Sequence, residues 1–429
     1  MSDTLIVAIG GAVAGTLTRG RAGLVFDYDD GYRASPGATP VSLSMPLQAG
    51  RHRSAVVTPW LWGLLPDNAD VLERWARQFQ TSASSPFSLL ATPVGEDCAG
   101  AVQFLRPDRA DEVLGRPGQI EWLDEDGVAA RLAALRGDTT AWLGPDFSGQ
   151  FSLAGIQAKT ALFFDGHRWG LPSGATPTTH ILKPAIAGLD DHDLNEHLCL
   201  SAAGRVGLTV ARTRIVRFAS RTAVVIDRYD RRQSGERVVR IHQEDLCQAL
   251  GVPPPRKYQA DGGPGPGAVA ALLRDTVRPS SAARSAVEAF LDALAWNWVI
   301  GGTDAHAKNY SVLLAGDQVR LAPLYDVASV LPYDGVDELK LKMAMKLGGE
   351  YRLKGHGPST WAKVAAEIGL DAQTTEARVA ELVAIAPDAL RDAAAAPDVR
   401  RLRRRLPGRL VAAVAARAAR CALQLPRPA

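Results

Sequence analysis

Short apolar runs separated by turn residues fill the first hundred positions of the chain, a pattern typical of β-strands joined by hairpins. The run at residues 5–17 is divided by a pair of glycines, and a second run at residues 24–28 is followed by the turn residues 29–31. We expect a strand on each side of both turns, a further strand at residues 41–47, and an amphipathic helix at about residues 69–79. The pattern predicts a small β-rich domain with one or two helices.

The middle of the chain alternates strand-like and helix-like segments. A polar, glycine-containing stretch at residues 136–150 is a candidate boundary between domains. The order of elements predicts a lobe over residues 146–235 that follows a β-rich subdomain over residues 1–145. The predicted elements are a strand and a helix within residues 119–135, a hairpin turning at residues 165–166, a strand at residues 178–183, a helix at residues 194–206, and strands at residues 213–218 and 223–228.

Helical patterns dominate the rest of the chain, so we expect an all-helical C-terminal lobe over residues 236–429. The glycine- and proline-rich segment at residues 258–267 cannot be helical, and the sequence leaves open whether it forms the rim of an active site or a surface loop. The predicted elements are helices at residues 243–250, 268–277 and 282–300, two short strands at residues 310–314 and 318–321, and three alanine-rich helices toward the C-terminus.

The composition is that of an ordinary globular protein, with 46% hydrophobic and 22% charged residues over 429 positions. A formal net charge of +3 gives no general reason to expect nucleic-acid binding. No apolar run is long enough to span a bilayer and the N-terminus lacks the basic segment of a signal peptide, so we expect a cytoplasmic protein with no membrane partner. The cysteines have no CxxC spacing, which argues against a zinc site or a disulfide framework. They are Cys98, Cys199, Cys247 and Cys421.

The most informative stretch is residues 296–314, where an apolar helical pattern ends at two glycines and a polar loop follows. Asp304 is followed five residues later by Asn309, which is the spacing of a kinase catalytic loop. After the two short strands comes Asp326, at the place where kinases carry a second, metal-binding Asp. Either carboxylate alone is more often a turn or cap residue, and it is their combination with Asn309 that favours phosphoryl transfer.

Three features of the predicted small lobe fit a nucleotide site. The loop at residues 151–160 could bring backbone N–H groups to phosphate, but with Gly155 as its one glycine it matches no phosphate-loop motif and is equally typical of a strand connector. Lys183 ends a strand, as the phosphate-binding Lys of kinases does, and Glu196 on the next helix is a candidate partner. Alone, Lys183 is most often a surface residue. Residues 227–232 stand where the linker between kinase lobes is expected.

Short motifs spread over the chain carry a resemblance to a known family. They are Leu64-Leu-Pro-Asp-Asn68, Ser152-Leu-Ala-Gly-Ile-Gln-Ala-Lys-Thr, Thr178-Thr-His-Ile-Leu-Lys183, Asn195-Glu196, Asp230-Arg-Arg, His242-Gln-Glu-Asp-Leu-Cys-Gln248, Lys257-Tyr, Asp261-Gly-Gly-Pro-Gly, Thr303-Asp-Ala-His-Ala-Lys-Asn309 and Tyr325-Asp326. By these motifs the chain resembles the HipA family of serine/threonine kinase toxins over nearly its whole length. The resemblance implies an α+β, protein-kinase-like bilobal fold with an N-terminal β-rich subdomain.

The resemblance also implies roles for single residues. Asp304 would be the catalytic Asp, and Asn309 and Asp326 would bind Mg²⁺. Glu196 would pair with Lys183. Ser152 would be the serine that the kinase phosphorylates on itself. The positions implied to bind ATP are Ser152, Ala154, Gly155, Lys159, Lys183, Asp227, Tyr229, His306 and Lys308.

Two of these positions depart from the usual pattern of the family. Asp227 stands where the family often has Glu, and Tyr229 stands where Phe is frequent. The aromatic ring of Tyr229 would still form an apolar wall beside adenine.

The function implied is a toxin that uses ATP and Mg²⁺ to phosphorylate Ser or Thr of a protein, typically an aminoacyl-tRNA synthetase. Its implied partners are a HipB-like helix-turn-helix antitoxin and, through that complex, operator DNA. Two alternatives remain: a non-catalytic corepressor acting with the antitoxin on DNA, which the intact catalytic positions argue against, and a kinase for a small molecule, since kinase-like folds also serve such substrates.

A basic cluster lies near the C-terminus. It contains Arg400, Arg401, Arg403, Arg404, Arg405 and Arg409. These arginines either form a solvated helix face, or pair with Asp392 and Asp398, or contact the phosphates of DNA.

Overall fold

The computed structural model describes residues 3–115, 118–144, 146, 148–235 and 237–425. It consists of two compact units. Unit 1 contains Met1–Pro184, Val216–Pro254 and Ser311–Val319. Unit 2 contains Ala185–Ile215, Pro255–Tyr310 and Arg320–Ala429.

The strands and helices are numbered in chain order. The strands are β1 (Thr4–Ile9), β2 (Ala12–Gly20), β3 (Gly23–Tyr28), β4 (Arg51–Arg53), β5 (Val102–Leu105), β6 (Ile120–Leu123), β7 (Thr160–Phe164), β8 (Trp169–Pro172), β9 (His180–Pro184), β10 (Thr213–Phe218), β11 (Arg221–Asp227), β12 (Arg231–Ser234), β13 (Arg237–Arg240), β14 (His242–Asp245), β15 (Ser311–Ala315), β16 (Gln318–Leu321), β17 (Lys342–Leu347) and β18 (Glu350–Arg352). The helices are α1 (Asp30–Ala34), α2 (Ser54–Leu64), α3 (Ala69–Gln78), α4 (Pro86–Leu90), α5 (Ala110–Gly115), α6 (Glu125–Gly137), α7 (His192–Arg205), α8 (Leu246–Ala249), α9 (Pro266–Thr276), α10 (Ala283–Ile300), α11 (Pro358–Ile368), α12 (Ala372–Ala394), α13 (Pro397–Arg401) and α14 (Leu406–Ala422).

The first sheet of unit 1 is antiparallel and has the order β4-β3-β2-β1-β5. The predicted hairpin at the two glycines is confirmed, because β1 pairs with β2. The strand predicted after residues 29–31 is wrong: this segment is helix α1, whose N-terminus is capped by the side chain of Asp29. The strand predicted at residues 41–47 is reduced to one bridge between Ser42 and Met45, since Pro46 has no N–H to continue it.

The second sheet has the order β10-β11-β9-β7-β8-β6. It takes β6 from before residue 145 and the other strands from after it. Helix α6 packs on one face, where Val128 and Leu132 share a core with Leu162, Leu182 and Val225 of the strands. The strand-then-helix prediction for residues 119–135 is confirmed by β6 and α6.

Helix α10 is largely buried within unit 2, and helices α9, α12 and α14 pack against it. The lobe after residue 236 is mainly helical, but the prediction that it is all-helical is wrong, because β13 to β18 lie within it. The helix predicted at residues 243–250 is strand β14 followed by the single turn α8. Pairing of His242 with Leu314 and of Asp245 with Ser311 extends this segment as a strand.

Within the described residues, no helix is both long and apolar enough to cross a membrane.

Candidate active site

Helix α10 ends where the sequence predicts, at the two glycines. Gly301 has a left-handed backbone with φ of 69°, which a glycine adopts without steric cost. The N–H of Gly302 donates to the carbonyl of Asn297 at 2.7 Å. A Cβ at residue 302 would lie 2.4 Å from the Asn297 Oδ1, so a side chain there would collide with the helix end. The chain therefore leaves the helix sharply and enters the polar loop.

The loop presents one carboxylate and buries the polar residues that follow. Asp304 is exposed, whereas His306, Lys308 and Asn309 are buried. The carbonyl of Asp304 accepts two hydrogen bonds of 2.8 Å, one from the Asn309 Nδ2 and one from the backbone N–H of His306. These bonds fix the backbone of Asp304, so its carboxylate is held at a defined place on the surface.

Tyr258 belongs to the Lys257-Tyr motif, but the sequence analysis assigned it no role at the site. Its hydroxyl donates a hydrogen bond to the Asp304 Oδ1, and its ring packs edge-on against His306 at 4.9 Å between centroids. The N–H of Ala307 also bonds to the carbonyl of Lys257 at 3.3 Å. The segment at residues 258–267 therefore begins in contact with the loop of Asp304, which favours an active-site rim over a remote surface loop. No local pattern could indicate the contact, because Tyr258 precedes Asp304 by 46 residues.

Asp326 has a backbone conformation that is unusual for a residue with a side chain. Its φ is +56° and it is exposed. Such strain costs about 1–3 kcal/mol and persists where neighbouring contacts impose it, often at functional sites. Here the hydroxyl of Tyr325 donates to the Lys308 carbonyl at 2.7 Å, and the hydroxyl of Ser329 donates to the Ile300 carbonyl at 2.5 Å. The segment that carries Asp326 is therefore fastened to the loop of Asp304.

Helix α7 is joined to the same segment through Asn195. The Asn195 side chain donates to the Ser329 carbonyl at 2.7 Å and accepts from the Ser329 N–H at 3.0 Å. Glu196, the next residue of the helix, is buried. Unit 2 therefore brings together the segments of six predicted site residues: Glu196, Asp304, His306, Lys308, Asn309 and Asp326.

The predicted phosphate loop lies in unit 1, packed against the N-terminal part of the chain. Ser152 is fully buried, and its hydroxyl donates to the Leu64 carbonyl at 2.8 Å. The N–H of Asp67 donates to the Gly155 carbonyl at 3.0 Å. The Lys159 Nζ donates to the Ala154 carbonyl at 2.6 Å. In this conformation Lys159 therefore forms a hydrogen bond within its own loop.

Lys183, Asp227 and Tyr229 also lie in unit 1. Lys183 is paired in register with Val224, and its side chain is on the face opposite to Leu182, which belongs to the core beneath α6. The Asp227 Oδ1 lies 3.2 Å from the His180 Nε2. Tyr229 hydrogen-bonds Ser311, and burial raises the pKa of its phenol.

The ion pair predicted between Lys183 and Glu196 would join residues of the two units, and it stays a prediction.

The donor set in unit 2 fits Mg²⁺ held jointly with phosphates. Within the described residues no group of three His, Cys, Asp or Glu side chains could hold a metal by itself. Kinases instead use one Asp, one Asn and the phosphates of the nucleotide. The Asn309 Nδ2 is engaged by the Asp304 carbonyl, which leaves Oδ1 as the ligand atom of the amide. Asp326 supplies an exposed carboxylate. Both are oxygen ligands, which Mg²⁺ prefers.

Comparison with known proteins gives consistent matches. A model of the HipA-like C-terminal domain matches residues 151–390, and a model of the HipA N-terminal domain matches residues 5–105. Y4mE of Sinorhizobium fredii, a protein named as a kinase, is 36% identical over 377 residues, which are 87% of this chain and 87% of that protein. The serine/threonine-protein kinase toxin HipA of Shewanella oneidensis is 30% identical over 336 residues, which are 73% of this chain and 71% of the toxin.

A solved structure confirms the predicted fold. The chain is similar to a chain of the Shewanella oneidensis complex of HipA, HipB and operator DNA, with a TM-score of 0.80 and 24% identity. The match covers 97% of each chain. The fold is therefore α+β and kinase-like, of the kind seen in that complex.

Proposed function

The chain belongs to the HipA family and is a kinase, and on that premise we propose that it transfers the γ-phosphoryl group of ATP to a serine or threonine of a protein. The observation that carries the proposal is the hydrogen bond between the Asn309 side chain and the Asp304 carbonyl. It couples the residue that would face the substrate hydroxyl to a residue that would hold the metal.

Asp304 is proposed to orient the substrate hydroxyl and to receive its proton. Phosphoryl transfer needs little covalent chemistry from the protein, so the placement of this carboxylate is the main contribution. Its exposure leaves it accessible to a protein substrate, and the bonds to its carbonyl limit its movement.

Asn309 and Asp326 are proposed to hold Mg²⁺. When bound, the ion neutralises the charge that develops on the phosphates. The left-handed backbone of Asp326 and the bond between Tyr325 and the Lys308 carbonyl orient the carboxylate relative to the loop.

ATP is proposed to contact three segments of unit 1. Ala154, Gly155 and Lys159 would form the loop over its phosphates, and Lys183 would reach the α- and β-phosphates with Glu196 as partner. Asp227 and Tyr229 would lie beside the adenine. His306 and Lys308 are also proposed to bind ATP.

Autophosphorylation is proposed at Ser152. The hydroxyl is enclosed and bonded to Leu64, so the loop must leave this position before the serine can react. A phosphate would add about −1.5 to −2 charges and could not return to the same enclosed place. Phosphorylation would therefore hold the loop away from the nucleotide.

The proposed partners are a HipB-like helix-turn-helix antitoxin and operator DNA. The support is the likeness to the Shewanella oneidensis complex, which contains HipA, HipB and operator DNA. If the gene next to this one encodes a short helix-turn-helix protein, that protein should copurify with the chain. Failure of the two to associate when coexpressed would contradict this part of the proposal.

The proposed substrate is an aminoacyl-tRNA synthetase. Phosphopeptides should be compared after induction of the wild type and of Asp304→Asn. A synthetase peptide that carries phosphoserine or phosphothreonine with the wild type alone would support the proposal, and identical phosphopeptides in the two samples would contradict it.

A further inference from the structure

Asp97 is a carboxylate enclosed between the N-terminal sheet and the predicted nucleotide-binding segments of unit 1. Its side chain is 4% exposed. Its Oδ2 accepts from the Thr178 hydroxyl at 2.6 Å and from the Thr178 N–H at 3.1 Å. Thr178 precedes β9, the strand that carries Lys183. One carboxylate oxygen of Asp97 therefore fixes the start of the Lys183 strand.

The same carboxylate is bonded to two arginines of the predicted linker, one on each side of Tyr229. The Arg228 Nη1 lies 3.3 Å from the Asp97 Oδ2, and the Arg231 Nη2 lies 2.9 Å from the Asp97 Oδ1. Arg228 also forms two bonds with Asp230, of 3.0 and 2.7 Å. These residues flank Tyr229. The backbone on each side of the proposed adenine wall is thus fastened to Asp97.

The backbone of Asp97 reaches the third segment. Its carbonyl accepts from the Ser152 N–H at 2.9 Å, at the start of the predicted phosphate loop. The next residue, Cys98, forms a parallel β-bridge with Ser152. One residue of the N-terminal part consequently contacts the phosphate loop, the Lys183 strand and the linker, although these lie far apart in sequence.

The charges around Asp97 make these contacts strong. Burial by itself would raise the pKa of Asp97, but Arg231, Arg228 and Arg240 outweigh it and hold the pKa below its usual range. The carboxylate is therefore ionised. A buried charge of this kind stays stable only with its partners in place, and removing one leaves the others uncompensated.

We propose that Asp97 is a positioning residue for ATP, which fixes the phosphate loop, the Lys183 strand and the linker relative to one another. The inference rests on the proposed function, since it takes these three segments as the nucleotide site. By this inference the N-terminal domain, which carries Asp97, contributes to the ATP site. Asp97 acts through the three segments and does not itself touch the nucleotide.

The first test is Asp97→Asn in the full chain. The dissociation constant for MgATP should rise about tenfold or more, because the carboxylate charge is lost from its bonds to the Lys183 strand and the linker, while the backbone bond to Ser152 remains. The KM for ATP should rise with it, while kcat at saturating ATP should change by no more than about twofold. A purely structural role would lower the thermal midpoint and leave the KM of the folded protein unchanged.

The matched control is Arg240→Gln. The Arg240 Nη2 lies 3.2 Å from the Asp97 Oδ1, and its Nη1 donates to the Ala175 carbonyl. The side chain of Arg240 therefore belongs to the ion cluster but does not bond to Thr178, Arg231 or Ser152, and the substitution leaves its backbone pairing with Arg231 in place. It should lower stability while leaving the affinity for MgATP within about twofold of the wild type. An equal loss of affinity in both variants would overturn the positioning role.

A second pair of variants serves if Asp97→Asn does not fold. Thr178→Val keeps the shape of the side chain but removes the 2.6 Å bond to Asp97, and Thr178→Ser restores the hydroxyl. The KM for ATP should rise about fivefold in Thr178→Val and return to within about twofold in Thr178→Ser. Equal KM values in Thr178→Val, Thr178→Ser and wild type would overturn the inference.

The outcomes separate the inference from the proposed function. If wild type fails to bind MgATP, the proposed function itself fails. If wild type binds MgATP and the Asp97 and Thr178 variants bind it equally well, the function stands and the role of Asp97 is refuted.

Discussion

The hydroxyl of Tyr258 donates a hydrogen bond to one oxygen of the Asp304 carboxylate. We expect the other oxygen, Oδ2, to receive the substrate hydroxyl. Tyr258 lies at the beginning of the rim segment, and the next residue, Gln259, accepts from the Lys346 N–H of β17 at 2.6 Å. The orientation of the proposed catalytic carboxylate is therefore connected to the strand that borders the rim.

Tyr258→Phe should lower kcat about tenfold with little effect on the KM for ATP. The variant loses a hydrogen bond to a charged group, and such bonds contribute about 1.5–3 kcal/mol, enough for a change of this size. Steady-state phosphoryl transfer measures both constants. Tyr351→Phe is a suitable control, because Tyr351 contacts Lys346 and not Asp304. Wild-type kcat in Tyr258→Phe would show that the bond does not orient Asp304.

Asp304→Asn should reduce phosphoryl transfer by about 10²–10⁴-fold while MgATP still binds. The amide cannot take up the hydroxyl proton, but it occupies the same space, so folding should be unaffected. Transfer from radiolabelled ATP and nucleotide binding measure the two properties. Labelling at the wild-type rate would rule out Asp304 as the catalytic residue.

Asp326→Asn should fail for a different reason. It removes the charged ligand of the metal, so the Mg²⁺ dependence of ATP binding should weaken in this variant and persist in Asp304→Asn. Titration of each variant with ATP at several Mg²⁺ concentrations distinguishes them. The same Mg²⁺ dependence in both variants would contradict a metal role for Asp326.

The local features of the site could be predicted from sequence because each depends on neighbouring residues. A glycine pair ends α10 through backbone conformation, and the spacing of Asp304 and Asn309 fits within one loop. The strands after the loop follow from a short apolar alternation around a turn. In each case the residues that determine the structure lie within a few positions of one another.

Contacts between distant segments could not be predicted. The strand β14 exists because residues 242–245 pair with residues 311–314, and a short apolar segment alone does not distinguish this from a helical turn. The carboxylate of Asp97 has partners from Thr178 to Arg240. Its role appears only when the fold brings them together.

Wild-type protein incubated with MgATP should gain one phosphate, and Ser152→Ala should gain none. Intact-mass spectrometry measures the added mass. Ser148→Ala is the control, because the Ser148 hydroxyl bonds to Asp146 and Arg131 rather than to Leu64. The phosphorylated wild type should also bind MgATP more weakly, since the charged Ser152 cannot re-enter its enclosed place beside Leu64. An added phosphate on Ser152→Ala would place the modification elsewhere.

Stability should decrease as the pH rises toward 8 because of Glu244. This carboxyl is buried against Ser42 and Leu43, and burial raises its pKa to about 8. In the unfolded chain a Glu titrates near pH 4.3, so between about pH 4.3 and 8 the folded state retains a proton that the unfolded state releases. The stability contributed by protonated Glu244 is therefore fully present below the unfolded pKa of about 4.3, and it is lost as the pH rises through the folded pKa of about 8.

Glu244→Gln should remove this dependence. We compare the variant's free energy of unfolding minus that of the wild type at the two pH values. This difference should be larger at pH 9 than at pH 5 by at least about 1 kcal/mol, because only the wild type loses stability over this range. Denaturant unfolding at the two pH values measures it. The neighbouring His242, whose pKa burial lowers to about 4, is present in both proteins and cancels in the comparison. A difference that does not change with pH would mean that Glu244 is ionised throughout.

The C-terminal arginines are paired differently from the sequence-based expectation. Arg404 lies 3.6 Å from Asp191 and Arg409 lies 2.7 Å from Asp334, and neither contacts Asp392 or Asp398 within the described ion pairs. Arg400, Arg401 and Arg403 are exposed. These three can therefore be neutralised without breaking the ion pairs of Arg404 and Arg409.

If the cluster contacts operator DNA in the antitoxin complex, the triple change of Arg400, Arg401 and Arg403 to Gln should weaken binding and flatten its salt dependence. Each phosphate contact contributes about 0.9 to the slope of the logarithm of the binding constant against the logarithm of the salt concentration. Loss of three contacts should therefore reduce this slope by up to about 2.7. Operator titrations at several salt concentrations measure the slope.

Arg391→Gln, a change at an exposed arginine of α12 outside the cluster, should leave the slope unchanged. Kinase activity should be the same in all of these proteins, because the cluster lies outside the segments that carry Asp304 and Asp326. Loss of a phosphate contact reduces the number of counterions released on binding, and therefore reduces the slope. An unchanged slope in the triple variant would mean that these arginines form a solvated surface and do not contact DNA.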